Sequence, residues 1–256
     1  MNLNNFLLCV VALLLTLFNF SVSAQVQVPI KISIAAPVSA PFVYQDESGD
    51  NQGFLVELIE LVNKSTELEI DISIMPWARA MHEVKVDHID ALMPTIYTKE
   101  RAQYLTFPKL PILSFNTVLL KRAEDNILVE DITTLGTEKV IVKIRDMSMG
   151  KTFDDAEKNA KINVIEVRGF DHAIQMQAQS RVDLVACVDY IAHSSLKRLN
   201  LIDKIDMLYF SDETTLAFFA FSSTFSANHD VNVIMNKINS VTDTSEYKAL
   251  VVKFLK

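Results

Sequence analysis

Residues 54–75 read FLVELIELVNKSTELEIDISIM. In the first half, Phe54, Leu55, Leu58, Leu61 and Val62 recur at the spacing that lines one face of a helix. From Glu69 to Met75, apolar and polar residues alternate with the period of a half-buried strand. A helix that hands over to a strand within a few residues is half of a βα repeat, and the rest of the chain carries the same pattern. Upstream, residues 31–36 (KISIAA) read as a strand that reaches the helix through the polar turn at 46–53. Downstream, a helix is expected over 78–86, a short strand over 91–93 and another strand over 116–121. A second series begins at Lys139, with strand 139–144 (KVIVKI), helix 151–159, strand 163–167, helix 171–179, strand 184–188 and helix 190–199. A strand over 216–221 and two helices, 228–240 and 245–256, close the chain. Strands alternating with helices predict an α/β fold of parallel sheets with helices on both faces.

The two series do not read as one continuous sheet. Phe107-Pro108-Lys109-Leu110-Pro111 interrupts the first with two prolines, and the polar stretch 121–131 precedes the second. The expectation is therefore two α/β lobes, lobe I from 25–112 plus 218–256 and lobe II from 113–217, preceded by a leader at 1–24. The chain crosses near Ile112 to Phe115 and returns near Thr214 to Phe218, and two crossings make a two-strand hinge. The place for a ligand is the cleft between lobes, at the carboxyl ends of the strands.

The leader reading rests on residues 6–18, FLLCVVALLLTLF, an apolar run shorter than the ~20 residues that span a bilayer. It is followed by Val22-Ser23-Ala24, small residues suited to cleavage after Ala24, which predicts a soluble periplasmic product starting at Gln25. Removal of Cys9 leaves Cys187 as the one cysteine, so no internal disulfide is expected. With 24 Lys+Arg against 32 Asp+Glu, a net charge of -8 and no basic run, nucleic acid is excluded as a partner. Anionic lipid is excluded by the same charge balance.

The catalytic inventory is nearly empty. The five histidines show no metal-ligand spacing, there is no HExxH, GxSxG or Gly-rich phosphate loop, and only five glycines occur in all. Neither a metal nor a cofactor is expected. Cys187 falls inside the strand 184–188 and reads as a small core residue. His82, His88 and the pair Asp154-Asp155 read as solvated.

Residues 87–102, DHIDALMPTIYTKERA, followed by Tyr104, Phe107 and Pro108, resemble the aspartate-alanine and threonine-x-glutamate-arginine signature of the family 3 extracellular solute-binding proteins. Residues 40–44 (APFVY) with 53–58 (GFLVEL), and 180–185 (SRVDLV) with Asp189, are similar to two further segments of that family. The resemblance implies a type II periplasmic binding protein fold and a monomer that delivers an amino acid or related zwitterion to a membrane ABC permease. It also implies roles. Arg101 is similar to the arginine that holds the ligand carboxylate, for which a guanidinium offers two parallel donors. Its alternative is a surface ion pair with Glu100 or Asp90. Asp189 resembles the lobe II aspartate that accepts the ligand ammonium, its alternative being a helix cap. Trp77, the one tryptophan, falls where the family places an aromatic platform, and core packing would use it as well. Ser148, in the loop 146–150 (DMSMG), resembles a hydroxyl that approaches the carboxylate beside a helix start.

The chain departs from the family pattern in three places. Asp146 stands where the family has glycine, and an acid there repels a ligand carboxylate. Pro94, Thr95 and Ile96 replace a Ser/Thr pair before the arginine, which leaves Thr95 and Tyr97 as the polar substitutes. Ser39 occupies an aromatic position. Two other outputs share this fold: a receptor that presents its ligand to a membrane sensor, and a dehydratase-like enzyme, for which no acid/base pair stands out.

Overall fold

The computed structural model of the chain describes residues 29–210 and 214–255. The expected leader at 1–24 lies outside the described residues. In chain order the first part contains β1 (Ile30–Ala36), the two-residue strands β2 (Tyr44–Gln45) and β3 (Asn51–Gln52), and helix α1 (Phe54–Ser65). It continues with β4 (Leu68–Ile74), α2 (Trp77–Lys85), β5 (Ala91–Ile96) and the short strands β6 (Leu105–Thr106) and β7 (Leu113–Phe115). The second part runs β8 (Thr117–Arg122), β9 (Val140–Ile144), α3 (Lys151–Lys158), β10 (Asn163–Val167), α4 (Phe170–Ala178), β11 (Leu184–Val188), α5 (Asp189–Arg198) and β12 (Ile205–Tyr209). The chain then returns through β13 (Thr215–Ser222) to helices α6 (Ser223–Asn228), α7 (Val231–Asn239) and α8 (Ser245–Leu255).

Two large sheets result, beside the small two-stranded sheet β2-β3. The first has the order β4-β1-β5-β13-β6 with β7 also on β13, and the second has the order β10-β9-β11-β8-β12. The expectation of parallel sheets holds only for the βαβ units, β4-β1-β5 in one and β10-β9-β11 in the other. β13 runs antiparallel to β5, β6 and β7, and β8 runs antiparallel to β11 and β12. The physical reason is the connection: a strand reached by a direct crossing rather than a helical crossover has no need to be parallel to its neighbour. The first crossing is a single residue, Asn116, between β7 and β8. The two crossing strands pair with each other, Thr215 opposite Phe115 and Ala217 opposite Leu113.

Helix α1 buries Phe54, Leu55, Leu58, Ile59 and Val62 on the first sheet, with Glu57 in its first turn and Lys64 in its last, each at the favourable end of the helix dipole. The C-terminal helices come back to this layer. Lys237 of α7 pairs with Glu67, Lys253 of α8 pairs with Glu57, and the rings of Phe54 and Tyr247 meet edge to face at 6.0 Å. The helix expected over 228–240 is α7, and the short helix α6 that precedes it was not expected. Ser222 caps α6 by accepting the Phe225 N–H at 3.2 Å, and Asp230 caps α7 by accepting the Asn232 N–H at 2.9 Å. A fresh cap eight residues on ends one helix and opens the next. In the second sheet every residue of β11 is buried, and burial pushes the Cys187 thiol far up from its usual pKa, as befits a core residue. Among the described residues no helix is long and apolar enough to cross a membrane, and no group of three or more His, Cys, Asp or Glu could hold a metal.

Candidate functional site

The carboxyl ends of four strands converge between the sheets. β1 ends beside Pro37, β4 leads into Trp77, β5 ends in Pro94 and Ile96, and β11 ends in Val188. These residues, with Ser39, Phe42, Arg101, Phe115, Met147, Ser148 and Ile191, enclose about 450 Å³ of empty space, part of it open to solvent. Nine of the twelve wall residues are apolar, two are serines and one is charged.

Arg101 is that charge. It sits in a single turn of 3-10 helix (Arg101–Gln103) that follows β5 by one tight turn, where the Thr98 hydroxyl accepts the Arg101 N–H at 3.2 Å. The side chain is only 6% exposed. Its Nη1 donates to the Ile96 carbonyl at 2.9 Å, its Nη2 donates to the Asp146 carbonyl at 3.0 Å, and the guanidinium lies 5.1 Å from the center of the Trp77 ring. No carboxylate of the described residues pairs with it, so the expected alternative of an ion pair with Glu100 or Asp90 is not what holds it. Burial pushes its pKa down, and the more distant charges of Tyr104, Asp154, Glu100 and Asp146 work the other way. Arginine remains a cation under such conditions. The guanidinium, bonded to two neutral carbonyls and with no carboxylate of the described residues in direct contact, presents its positive charge to the cavity.

Trp77 lines the same pocket, 6% exposed, and its Nε1 donates to the Asp146 carbonyl at 2.8 Å. One carbonyl of the second layer thus accepts from two side chains of the first. The backbone of Asp146 explains both this aim and the family's glycine. Its φ is 58°, in the left-handed region that glycine enters freely and aspartate tolerates. The Asp146 side chain is exposed and is not part of the pocket wall.

Ser148 is buried and lines the pocket, but its hydroxyl already has partners. It donates to the Asp154 carboxylate and accepts the Gly150 N–H at 3.3 Å, while the other Asp154 oxygen accepts the Met149 N–H at 2.9 Å. Asp154, read from sequence as solvated, instead accepts the Ser148 hydroxyl and the Met149 N–H of the loop that leads into α3. Phe42, 2% exposed, forms the opposite wall and touches Tyr190 edge to face at 5.9 Å.

Trp77, Arg101 and Ser148 are therefore brought together, and three other expected residues do not join them. Thr95 is fully buried within β5, its hydroxyl donated to the Leu92 carbonyl at 3.1 Å. Tyr97 is 53% exposed and packs edge to face on Phe107 at 5.1 Å, on the far side of the strand alternation from Ile96. Asp189, the first residue of α5, is absent from the wall. Its Oδ2 accepts from the Asn116 backbone N–H at 3.3 Å and side-chain amide at 3.0 Å, and its Oδ1 accepts the Tyr190 N–H at 2.8 Å. It braces the crossing strand and the helix start. The apolar wall residues Pro37, Ile96, Phe115, Met147, Val188 and Ile191 carry no motif; their signal is position, since most stand at strand ends facing the other layer.

Comparisons with known proteins agree with this architecture. A family model described as bacterial extracellular solute-binding proteins, family 3, matches residues 31–256. Probable amino-acid-binding protein YxeM of Bacillus subtilis (strain 168) is 23% identical over 164 residues, which are 64% of this chain and 61% of that protein. The chain thus matches about three fifths of that relative's length. A solved histidine kinase sensor domain with similarity to periplasmic binding proteins has a TM-score of 0.75 at 15% identity, over 89% of this chain and 97% of that one. An ancestral arginine-binding protein bound to arginine has a TM-score of 0.74 at 18% identity, over 90% of this chain and all of that one, 100%. At such identities the likeness speaks for a shared fold.

Proposed function

We propose, from the premise that this chain belongs to the bacterial extracellular solute-binding proteins of family 3, that it binds a small carboxylate-bearing molecule between its lobes and hands it to a membrane partner. The chain has the two-lobed type II periplasmic binding protein fold. The observation that carries the ligand reading is Arg101, a buried cation with carbonyl partners only among the described residues, aimed into the cleft where strand ends of both layers meet. A ligand anion supplies the direct carboxylate partner that Arg101 lacks among the described residues. Amino acids are the class that the names of the relatives bring to mind.

The mechanism we infer is closure. Lobe I, 25–112 plus 218–256, and lobe II, 113–217, rotate about the paired crossing strands β7 and β13, and ligand held by Arg101 favors the closed form. To take the protein from mostly open to mostly closed, the ligand must prefer the closed form by about 5.5 kcal/mol. An ABC permease in the membrane would read the closed shape, with the chain exported to the periplasm after removal of 1–24. A second reading, presentation of the ligand to a membrane sensor, has its support in the likeness to a sensor domain. We read the site as binding without turnover, because Arg101 is the one ionisable side chain among the described residues of its wall.

The test is thermal unfolding of residues 25–256, refolded to strip bound ligand, against amino acids, polyamines and small organic acids, alongside Arg101→Ala. A ligand at 100 times its Kd adds about 2.7 kcal/mol of stability. A shift from a carboxylate that vanishes in Arg101→Ala supports the reading. Absence of any carboxylate hit, or a hit indifferent to Arg101, refutes it. Products detected by NMR after incubation with the hit would refute binding without turnover.

A further inference from the structure

We propose that the Asn63 side chain guards the open rim of the first sheet, occupying the place where β4 would otherwise take a strand from a second copy of this chain. The inference is independent of the carboxylate reading of Arg101. β4 is the outermost strand of its sheet, and among the described residues β1 is the one strand that pairs with it. With seven residues it is longer than the rim strands β6, β10 and β12, which have two, five and five. The Ile30 N–H bonds to the Glu67 carbonyl at 3.2 Å and the Met75 N–H to the Ala36 carbonyl at 3.0 Å, so the odd-numbered residues of β4 face β1. Leu68, Ile70, Ile72 and Ile74 therefore turn their N–H and C=O groups to the free rim. Such a row is a template for strand addition.

Asn63 fills the middle of that row. It lies in the last turn of α1, where its Oδ1 accepts the Ile70 N–H at 2.8 Å and its Nδ2 donates to the Ile70 carbonyl at 2.9 Å. A side-chain amide carries the same donor and acceptor as a peptide, so this exchange is the one that an opposite residue of an antiparallel strand makes. Two neighbors extend it. Thr66 Oγ1 accepts the Leu68 N–H at 3.2 Å, and Asn51 Nδ2 reaches the Ile72 carbonyl at 3.5 Å. Asparagine is a poor helix former, and here its side chain serves β4 rather than α1. The partner that fits the bare rim is β4 of another copy. LEIDISI has three isoleucines and neither Gly nor Pro, a composition that favors strand pairing. Laid antiparallel with Ile72 opposite Ile72 of the second copy, Ile70 meets Ile74, Glu69 meets Met75 and Asp71 meets Ser73. No acid then stands opposite another acid.

Sedimentation velocity across the micromolar range, on residues 25–256, compares the parent, Asn63→Ala, and Asn63→Ala combined with Ile72→Pro. Alanine keeps α1 and bares the rim, while proline removes the outward Ile72 N–H and leaves the ladder to β1 alone. The expected result is a monomeric parent, an Asn63→Ala variant whose weight-average mass rises with concentration toward twice that of the monomer, and a double variant returned to monomer. An Asn63→Ala variant as monomeric as the parent overturns the proposal, and so does a parent that associates as strongly as Asn63→Ala. Association that persists in the double variant also overturns it, because the contact then lies elsewhere or comes from unfolded chain. Hydrogen exchange on the parent needs no variant: the Ile70 amide should be protected as well as the amides of β4 that face β1. An Ile70 amide that exchanges as fast as one in an unfolded peptide would show that Asn63 does not hold the rim.

Discussion

Gly53→Ala is expected to unfold the chain far more easily than an alanine at any other turn glycine of lobe I, and the structure gives the size of the effect. Gly53 has φ 122° and ψ 168°, a conformation open to glycine almost alone, which costs another residue about 1–3 kcal/mol. A Cβ there would lie 2.4 Å from the Phe42 carbonyl oxygen, 2.6 Å from its carbon and 2.9 Å from the Pro41 carbonyl oxygen. All three are backbone atoms, and the two oxygens accept the first N–H groups of α1, Phe54 to Pro41 at 2.9 Å and Leu55 to Phe42 at 2.9 Å. Making room moves residues 41–42 and loosens both bonds, each about 1 kcal/mol. Strain and lost bonds together come to roughly 3–5 kcal/mol, a large part of the ~5–15 kcal/mol that a domain has to lose. Gly49 is the control, with φ 86° and nothing within 4 Å, so Gly49→Ala costs only the left-handed conformation, about 1 kcal/mol. The gain from stiffening the unfolded chain is the same for both and cancels. Urea unfolding followed by circular dichroism at 25 °C, with the slope unchanged, measures the difference. Two variants equal within about 1 kcal/mol would refute the claim that this backbone contact anchors α1. Since Phe42 is also a wall of the cleft, Gly53→Ala should weaken ligand binding as well.

Trp77→Phe keeps the ring beside Arg101 and removes the N–H donated to Asp146, so it should cost the closed form about 1 kcal/mol, a fivefold shift toward open. Energy transfer between dyes on the two lobes reads that shift, and an unchanged distance distribution argues against a closing role for the bond. Cys187 is 0% exposed with its thiol pKa raised by burial, so at pH 8 a thiol reagent should label residues 25–256 only as fast as they unfold. Rapid labeling of the folded protein would contradict the core assignment. Glu67 has its pKa lowered chiefly by the hydrogen bond from Lys237, so its contribution to stability is present above the unfolded value near 4.5 and is lost as pH falls through the lower folded value. Glu67→Gln should flatten that acid limb of the stability curve, and an identical limb would mean that the α7 contact does not titrate.

The elements with strong period, α1 and β4 or β9 through β11, were legible in the sequence to within a residue or so of their ends. β12 was not, because IDMLY is an edge strand with mixed exposure and no clear alternation, and it takes its identity from five pairings with β8. The place of β13 between β5 and β6 was equally hidden, since strand order belongs to the whole topology and not to any segment. In the site, Arg101 and Trp77 were visible through motif resemblance. What each side chain binds was not. The commitment of Asp189 to Asn116 depends on two segments 73 positions apart, and the capture of Ser148 by Asp154 depends on how one loop enters α3. The apolar walls were missed because an isolated Phe, Ile or Val reads as core until the facing layer is known.

The interleaving of the sheets also dictates an order of assembly. β9, β10 and β11 lie within one uninterrupted stretch of chain, and each finds its neighbor nearby. β5, by contrast, has one edge that stays open until Ala217 arrives opposite Ile96, after the whole of lobe II has intervened. Closing so long a loop is slower than local pairing. The layer that begins the chain is thus the last to finish, and until then it exposes a sheet edge able to pair with another chain. Pulse-labeled hydrogen exchange during refolding should find the amides of β9 and β11 protected before those of β5 and β13, and simultaneous protection would exclude this order.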